Sequence, residues 1–225
     1  MSVRPITFSE GEFYHIYNRG NSKQRIFHDG HDHMYFTNLL YLMNTHERRQ
    51  VYDLKKLGHF NAYDIERKNV LVSIGAYCLM PNHFHILMTE KEEGGISKFM
   101  QKVSTAYAMY YNNKYERTGG LFEGKFKAQH ADDDRYLKYL FSYIHLNPVK
   151  LIDPQWKERG IRNKKAVLTH LKGYAHSSYL DYLGEQRLQA LILSVTDFPR
   201  YFPHPDTFSS EIFSWLSYGN GLKNR

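Results

Sequence analysis

A two-residue turn joins two strand-like segments near the middle of the chain, and this hairpin limits the possible folds more than any other feature. Residues Val70 to Met80 form an almost unbroken apolar run, Pro81-Asn82 supplies the turn, and His83 to Glu90 runs back. Proline and asparagine favour turns, and apolar runs between turn signals favour strands. Because the first of these strands is apolar on both faces, we expect it to be central in a sheet or covered by helices.

The hairpin lies within a regular order of strands and helices. An aromatic run predicts a first strand at Glu12 to Asn18, and helical spacing of apolar residues predicts a helix from Asp32 to Glu47. A long helix from Ile96 to Gly119, a strand from Lys125 to Ala131 and a helix from Asp133 to Leu146 follow the hairpin. The first six elements have the order of the ferredoxin-like, split β-α-β pattern. The predicted fold class is α+β, with a four-stranded antiparallel sheet.

The remaining residues are predicted to form a mostly helical extension. Apolar spacing indicates helices at Lys164 to Lys172, Ser178 to Leu193 and Ser209 to Ser217. A chain of 225 residues can bury a full core. We therefore expect a core domain in residues 1–150 and a C-terminal extension, residues 151–225, packed on it.

Composition indicates a polyanionic partner and argues against a membrane protein. The formal charge is +7, and 19 tyrosines are interleaved with the basic residues. Clustered Lys and Arg supply nonspecific nucleic-acid affinity, and aromatic rings stack on unpaired bases. The sequence has no apolar run near the roughly 20 residues of a membrane span and no secretory signal pattern, so a cytoplasmic location is expected. The single cysteine, Cys78, lies in an apolar run and is interpreted as a core residue.

Two histidines open the second strand of the hairpin. His83 and His85 flank one apolar residue, and side chains alternate between the two faces of a strand, so both imidazoles point the same way. Such a pair is half of a divalent-metal site or a pair of hydrogen-bonded structural histidines. The spacing alone supports the two interpretations equally, because the chain contains 13 histidines.

The same spacing recurs at His31 and His33 in a different setting. No strand pattern surrounds this second pair, and acidic residues lie within and before it. We interpret the segment as the solvated start of a helix, with Asp29 or Asp32 as the N-cap.

The helix predicted at Asp133 to Leu146 carries a possible nucleophile. Tyr143 and Asn147 are four residues apart, so they lie one turn above the other on one face. A phenol and an amide are thus presented together. The structural alternative is an amphipathic tyrosine at the rim of the core and an asparagine that caps the helix.

Four separated motifs together resemble those of the REP-associated tyrosine transposases. This family belongs to the IS200-like, single-tyrosine HUH transposase superfamily, and the resemblance spans roughly Phe13 to Ser178. The motifs are Tyr14-His15-Ile16-Tyr17-Asn18-Arg19-Gly20, Ala76-Tyr77-Cys78-Leu79-Met80-Pro81-Asn82-His83-Phe84-His85, Gly120-Leu121-Phe122-Glu123-Gly124-Lys125-Phe126-Lys127 and Tyr143-Ile144-His145-Leu146-Asn147-Pro148-Val149. The resemblance implies a ferredoxin-like sheet with the histidines on an inner strand.

The resemblance also implies a metal-dependent enzyme that cleaves and rejoins single-stranded DNA. By it, His83 and His85 hold Mg²⁺ or Mn²⁺, and Asn147 completes the metal shell. Tyr143 attacks the scissile phosphate, leaving a 5′-phosphotyrosine link and a free 3′-hydroxyl. The implied substrate is a DNA hairpin, and a monomer is slightly favoured over a homodimer.

Three basic residues in the motifs are candidates for phosphate contacts. They are Arg19, Lys125 and Lys127, of which the two lysines are predicted to share one strand face. The alternative is that they protect a solvated edge strand from aggregation.

Other functions fit parts of the pattern. A non-catalytic single-stranded nucleic-acid-binding module can have the same sheet but needs no paired histidines facing a tyrosine. A relaxase or replication initiator usually has a longer histidine cluster or a helicase domain. A metal-dependent phosphoesterase that uses water would leave Tyr143 idle and form no covalent adduct.

Overall fold

A four-stranded antiparallel sheet forms the centre of the protein. The computed structural model describes residues 6–47 and 61–216. The strands are β1 (Phe13–Arg19), β2 (Val72–Met80), β3 (His83–Glu90) and β4 (Lys127–His130). They lie in the order β2-β3-β1-β4, with every neighbouring pair antiparallel. This order confirms the predicted ferredoxin-like α+β fold.

Helices cover both faces of the sheet. The described α-helices are α1 (Gly30–Leu42), α2 (Gly95–Lys114), α3 (Asp134–Leu146), α4 (Trp156–Arg159), α5 (Lys164–Gly173), α6 (Tyr179–Tyr182) and α7 (Pro205–Leu216). Short 3₁₀ helices occur at Asn21–Lys23, Ala62–Asp64, Asn147–Leu151, Leu188–Ile192 and Val195–Asp197. Within the described ranges, no helix has the length and apolar character needed to cross a bilayer.

Strand alternation separates two cores on opposite faces of the sheet. Phe84, Ile86 and Met88 of β3 lie in the cluster that includes residues of α1 and α2. Leu87 lies in the other cluster, with Phe141 of α3. Because alternate residues face opposite ways, the histidines of β3 are on the α3 face. The predicted direction of the histidine pair is therefore confirmed.

Strand β2 is covered, but it is not central. All nine of its residues are buried although it lies at an edge of the sheet. The C-terminal extension covers this edge: the Leu79 amide donates to the His176 carbonyl (2.9 Å) and the Ser178 amide to the Tyr77 carbonyl (3.0 Å). These bonds satisfy backbone groups that an open edge would leave unpaired. Cys78 is fully buried in this strand, as predicted.

Strand β4 starts later than predicted. Its ladder with β1 runs from the Tyr17–Lys127 pair to the Tyr14–His130 pair. Gly124 has a positive φ of 67°, and after the isolated Gly20–Phe122 bridge the ladder with β1 resumes only at Lys127. Lys125 therefore lies outside the strand, so the prediction that Lys125 and Lys127 share one strand face is wrong.

Helix α1 is shorter than its apolar spacing indicated. Asp29 caps its N-terminus by accepting from the Asp32 amide (2.9 Å), which confirms one of the two predicted caps. The helix ends at Leu42, and Asn44, two residues later, hydrogen bonds with the backbone around β2. The Asn44 side chain donates to the Val72 carbonyl (2.8 Å) and accepts from the Leu71 amide (2.9 Å), which holds the helix end against β2.

The extension agrees with the prediction in part. Helix α5 matches the expected segment, and α7 begins earlier than expected, whereas the predicted end at Ser217 lies outside the described residues. The helix predicted from Ser178 to Leu193 is wrong beyond Tyr182. Gly184, at φ 81°, allows the chain to turn there, and only a 3₁₀ helix follows.

Candidate active site

The α3 face of the sheet brings residues from all four strands into one row. His85 is paired with Tyr17 of β1 on one side and with Cys78 of β2 on the other. Lys127 of β4 is paired with Tyr17, so the row continues to the far edge. His83 stands opposite Arg19, two residues along. Helix α3 crosses the same face and supplies the remaining side chains.

A third histidine, His15 of β1, contacts the predicted pair. Its Nε2 lies 2.8 Å from Nδ1 of His85, which is a hydrogen bond with the proton on either ring. The two rings are stacked, with centroids 4.9 Å apart. A second group bonded to one imidazole nitrogen fixes the ring and directs the other nitrogen outward. His15 therefore orients His85.

His83 is held by its own neighbours. Its Nδ1 lies 2.6 Å from Oδ1 of Asn82, which can only accept, so Nδ1 carries the proton. On the helix side, the side chain of Asn147 lies close enough to His83 to act on its pKa. The structure thus brings together His83, His85 and Asn147, which were predicted separately on a strand and a helix end.

All three imidazoles are neutral near neutral pH. Burial and the charge of Lys157 lower the pKa of His15 to about 3. Burial, followed by the charge of Lys150, lowers the pKa of His83 to about 4, against the opposing effect of the Asn147 side chain. Burial and the neighbouring His15 and His83 hold the pKa of His85 well below its ordinary value. A neutral imidazole retains the lone pair that a metal ion requires.

Tyr143 presents its ring to these histidines from α3. Its centroid is 5.4 Å from that of His85 and 5.9 Å from that of His15, both in edge-on arrangements. Tyr139 stacks on it at 6.0 Å, one turn earlier on the helix. Asp133 caps α3 by accepting from the Tyr136 amide (2.8 Å). The tyrosine thus projects from a capped, regular helix onto the histidine face.

The donor set fits a divalent metal ion. The Nδ2 atom of Asn147 is buried and has no hydrogen-bond partner among the described residues, so the polar end of this side chain is unsatisfied beside the histidines. In the part of the chain that the structure describes, no three His, Cys, Asp or Glu side chains converge as a metal site. The protein would therefore supply two imidazoles and one amide oxygen, leaving positions for substrate oxygens and water. Imidazole nitrogen suits manganese better than magnesium.

A basic groove opens beside His83. It has a volume of about 380 Å³ and is lined by Tyr17, Asn18, Arg19, Lys23, Asn82, His83, Lys127 and Lys150. Arg19 also forms a two-point ion pair with Glu123, including a 2.9 Å bond from Nη2 to Oε1. Lys125 lies with Asn18 and Phe126 in a separate groove. The structure therefore places Arg19 and Lys127 at the candidate site and Lys125 away from it.

Several residues of the site were missed from the sequence. His15 and Tyr17 alternate on β1, and this alternation would have indicated a shared face had the pairing of β1 with β3 been known. Lys150 and Lys157 follow the last motif in a segment without regular spacing. No local signal distinguishes them from other surface lysines.

The second histidine pair lies at the start of a helix, as predicted, but only His31 is solvated and His33 is buried. His31 is exposed at the start of α1, and Nδ1 of His33 lies 2.8 Å from the Asp29 carbonyl. The His33 ring stacks on that of His176, with centroids 3.7 Å apart. The pair therefore belongs to the helix entry and to packing of the extension.

The sequence and the fold were each found to be similar to known proteins. Residues 41–147 match the family model described as IS200-like transposase. The sequence has no match among curated proteins. A solved structure of a REP-associated tyrosine transposase bound to a REP hairpin is 12% identical, covers 84% of this chain and 90% of its own, and superposes with a TM-score of 0.48. The family match includes the second and third motifs and the first five residues of the fourth, and it agrees with the predicted resemblance to an IS200-like transposase.

Proposed function

We propose that this chain, which matches the IS200-like transposases over residues 41–147, cleaves and rejoins single-stranded DNA through a covalent link to Tyr143. The observation that carries the proposal is the position of Tyr143. Its ring lies 5.4 Å from that of His85 on the one sheet face that also carries His83 and the basic groove. A nucleophile, possible metal ligands and cations for phosphate are thus within one small area.

In the proposed step, the phenolic oxygen of Tyr143 attacks a phosphorus atom of the DNA backbone. The new bond joins this oxygen to phosphorus, the bond from phosphorus to the 3′-oxygen breaks, and the 3′-oxygen leaves with a proton as a hydroxyl. The phenol gives up one proton, so atoms and charge balance. Attack by another 3′-hydroxyl reverses the step, because the link to tyrosine preserves the energy of the phosphodiester.

The chain's own residues bind and orient the reacting groups. Lys127, Lys150 and Arg19 line the groove beside His83 and attract the backbone phosphates. Tyr17, in the same groove, offers a ring on which an unpaired base can stack. The rigid helix α3 holds Tyr143 in place, which reduces the entropy lost on reaching the reactive geometry.

His83, His85 and Asn147 would hold the divalent ion, Mg²⁺ or Mn²⁺. When bound, the ion supplies Lewis-acid polarisation of the phosphate and offsets negative charge in the transition state. His15 keeps His85 oriented through the 2.8 Å hydrogen bond, and Asn82 does the same for His83 at 2.6 Å.

A DNA hairpin is the proposed substrate, since the four sequence motifs resemble those of a family that reads hairpins and the groove beside His83 is basic. We further propose that residues 1–150 are the catalytic core and residues 151–225 an extension packed on it. A monomeric state, slightly favoured over a homodimer, and a cytoplasmic location stay predictions. Light scattering of the purified protein tests the first of these.

Covalent capture of DNA tests the function directly. The protein is incubated with a single-stranded DNA hairpin and Mn²⁺ or Mg²⁺, and a protein–DNA band resistant to denaturant is sought. Wild type and Tyr139→Phe are expected to form the band, whereas Tyr143→Phe forms none. Tyr139 is the matched control because it stacks on Tyr143 from the same helix.

Other outcomes separate the competing functions. Cleavage that persists in Tyr143→Phe contradicts the tyrosine mechanism and indicates a phosphoesterase that uses water. Hairpin binding without cleavage by the wild type indicates a non-catalytic binding module. His83→Ala is expected to retain binding and lose cleavage, and undiminished cleavage in this variant would remove His83 from the metal site.

A further inference from the structure

A lysine from the C-terminal extension reaches the candidate nucleophile. Nζ of Lys157 lies 4.0 Å from the ring centroid of Tyr143. Lys157 belongs to the single-turn helix α4, ten residues beyond Asn147, where the family match ends. The interaction therefore joins the proposed catalytic helix to a segment that the family match does not include.

The position of Lys157 is fixed by its neighbour in the chain. Trp156 is only 2% exposed and lies in a core cluster with Leu146, Val149 and Leu171, against which Tyr143 also packs. The Trp156 amide donates to the Asp153 carbonyl at 3.2 Å, which closes the turn that starts α4. Lys157 follows this anchor directly and is half-buried, whereas the next two residues are exposed. Its direction is thus set by the fold.

An ammonium this close to an aromatic face is attracted to the ring, and the attraction strengthens when the group is shielded from water. Both partners are half-buried here. The cation and the edge-on packing of His85 together hold the Tyr143 ring from two directions. No acidic partner for Lys157 is found in the described part of the chain, so its charge is available to the site.

We propose that Lys157 is a positioning residue for the transesterification: its ammonium holds the ring of Tyr143 so that the phenol faces the histidines and the phosphate. The proposal rests on the proposed function, because it assigns Lys157 a part in that same step. It also implies that residues 151–225 complete the active site as well as covering the sheet edge.

Three variants test this inference. Lys157→Met removes the charge and keeps the length of the side chain, Lys157→Arg keeps a cation that can lie over the ring, and Lys165→Met is the control on the exposed start of α5. The rate of covalent adduct formation is measured in a single turnover at saturating hairpin DNA. Removal of one cation–π interaction predicts a rate about 3- to 30-fold lower in Lys157→Met. Lys157→Arg is expected to restore most of the rate, and Lys165→Met to match the wild type.

Binding is separated from positioning by repeating the substitutions in the Tyr143→Phe background. Hairpin affinity is expected to change less than about fivefold, the upper end of the effect of a single exposed ion pair. A wild-type rate in Lys157→Met, or a rate in Lys157→Arg as low as in Lys157→Met, overturns the proposal. A loss confined to hairpin affinity, with an unchanged rate at saturation, also overturns it and makes Lys157 a DNA-binding residue.

A spectroscopic measurement tests the interaction independently of DNA cleavage. In protein labelled with 3-fluorotyrosine, the ¹⁹F signal of Tyr143 is assigned by its absence from Tyr143→Phe. This signal is expected to move in Lys157→Met and to stay in place in Lys165→Met. An unchanged signal in Lys157→Met overturns the inference. If the wild type forms no adduct but the signal moves, the interaction stands and the proposed function fails.

Discussion

The hydrogen bond between His15 and His85 shows how a side chain on a neighbouring strand can orient a proposed metal ligand. At 2.8 Å it occupies Nδ1 of His85 and stacks the two rings. Residues that orient a metal ligand in this way typically change metal affinity by about 10- to 100-fold when they are replaced. His15 is 5% exposed, so its imidazole is oriented by the protein with little freedom to turn.

His15→Phe is therefore expected to weaken Mn²⁺ binding by about 10- to 100-fold, because it keeps a stacking ring but removes the hydrogen bond. Isothermal titration of Mn²⁺ measures the affinity. His130→Phe on the neighbouring strand is the control, since His130 is a third exposed and pairs with Glu12 instead. Equal Mn²⁺ affinity in His15→Phe and wild type would contradict the orienting role.

The ionisation of Asp32, a buried residue at the start of α1, also depends on neighbouring side chains. Burial by itself would raise its pKa, but hydrogen bonds from Lys114, the His28 amide, Tyr115 and Tyr110 overcome this and hold the pKa at about 2. The Lys114 ammonium is 2.7 Å away. A carboxyl with a lowered pKa adds stability that is present above its unfolded pKa, near 4, and is lost as the pH falls toward 2.

Asp32→Asn is expected to lower the free energy of unfolding by roughly 2 kcal/mol at pH 7, which is the size of the pKa difference expressed as energy. The difference from wild type should narrow between pH 4 and pH 2. Urea unfolding at pH 7 and pH 3 measures it, with the exposed Asp132→Asn as control. A difference that stays constant down to pH 2 would contradict the assigned ionisation.

At the scale of elements, the β2–β3 hairpin is fixed both by its turn and by packing against the C-terminal extension. The β2–β3 hairpin closes through Pro81-Asn82, and its alternation places apolar side chains in both cores. Close packing with the extension adds a constraint at Gly75, where the ladder has an irregularity. A Cβ at this position would lie 2.8 Å from the Phe198 ring, which is too close for ordinary van der Waals packing.

Gly75→Ala is therefore expected to destabilise the protein by about 1 to 3 kcal/mol, the usual cost of overpacking. In a Phe198→Ala background the same substitution should cost less, because the clashing ring is gone. Thermal or urea unfolding of the two single variants and the double variant measures this coupling. Equal costs in both backgrounds would show that Phe198 does not press on Gly75.

At the scale of the whole molecule, a net positive charge accompanies a basic groove at the candidate site. The net charge is +7, and the groove beside His83 contains Arg19, Lys23, Lys127 and Lys150. Arg19 is partly neutralised by Glu123, which leaves the lysines as the main source of positive potential in the groove. Long-range attraction of a polyanion to such a groove depends strongly on salt.

Lys127→Ala and Lys150→Ala are each expected to reduce the salt dependence of hairpin binding. The slope of log affinity against log salt should fall by about 0.7 for each single-strand phosphate that the variant no longer neutralises. Titrations at several salt concentrations measure the slope, and the exposed Lys165→Ala is expected to retain the wild-type value. Unchanged slopes for both groove variants would place the DNA elsewhere.

The order of strands and helices, the two-faced hairpin and the proximity of Tyr143 to Asn147 follow from the sequence by itself. Each depends on local periodicity, because side chains alternate in strands and repeat every 3.6 residues in helices. The shared face of His83 and His85 also follows from the alternation of side chains along a strand. The pattern also predicted that β2 is covered.

Only the tertiary structure decided which residues from distant parts of the chain meet. The register between β1 and β3 brought His15 to His85, and the path of the extension brought Lys157 over Tyr143. Strand order placed β2 at an edge, and the ladder of β4 with β1 begins only at Lys127, which leaves Lys125 outside the strand. These arrangements depend on how elements distant in the sequence pack together. The free energy of the whole chain determines that packing, and local residue spacing does not.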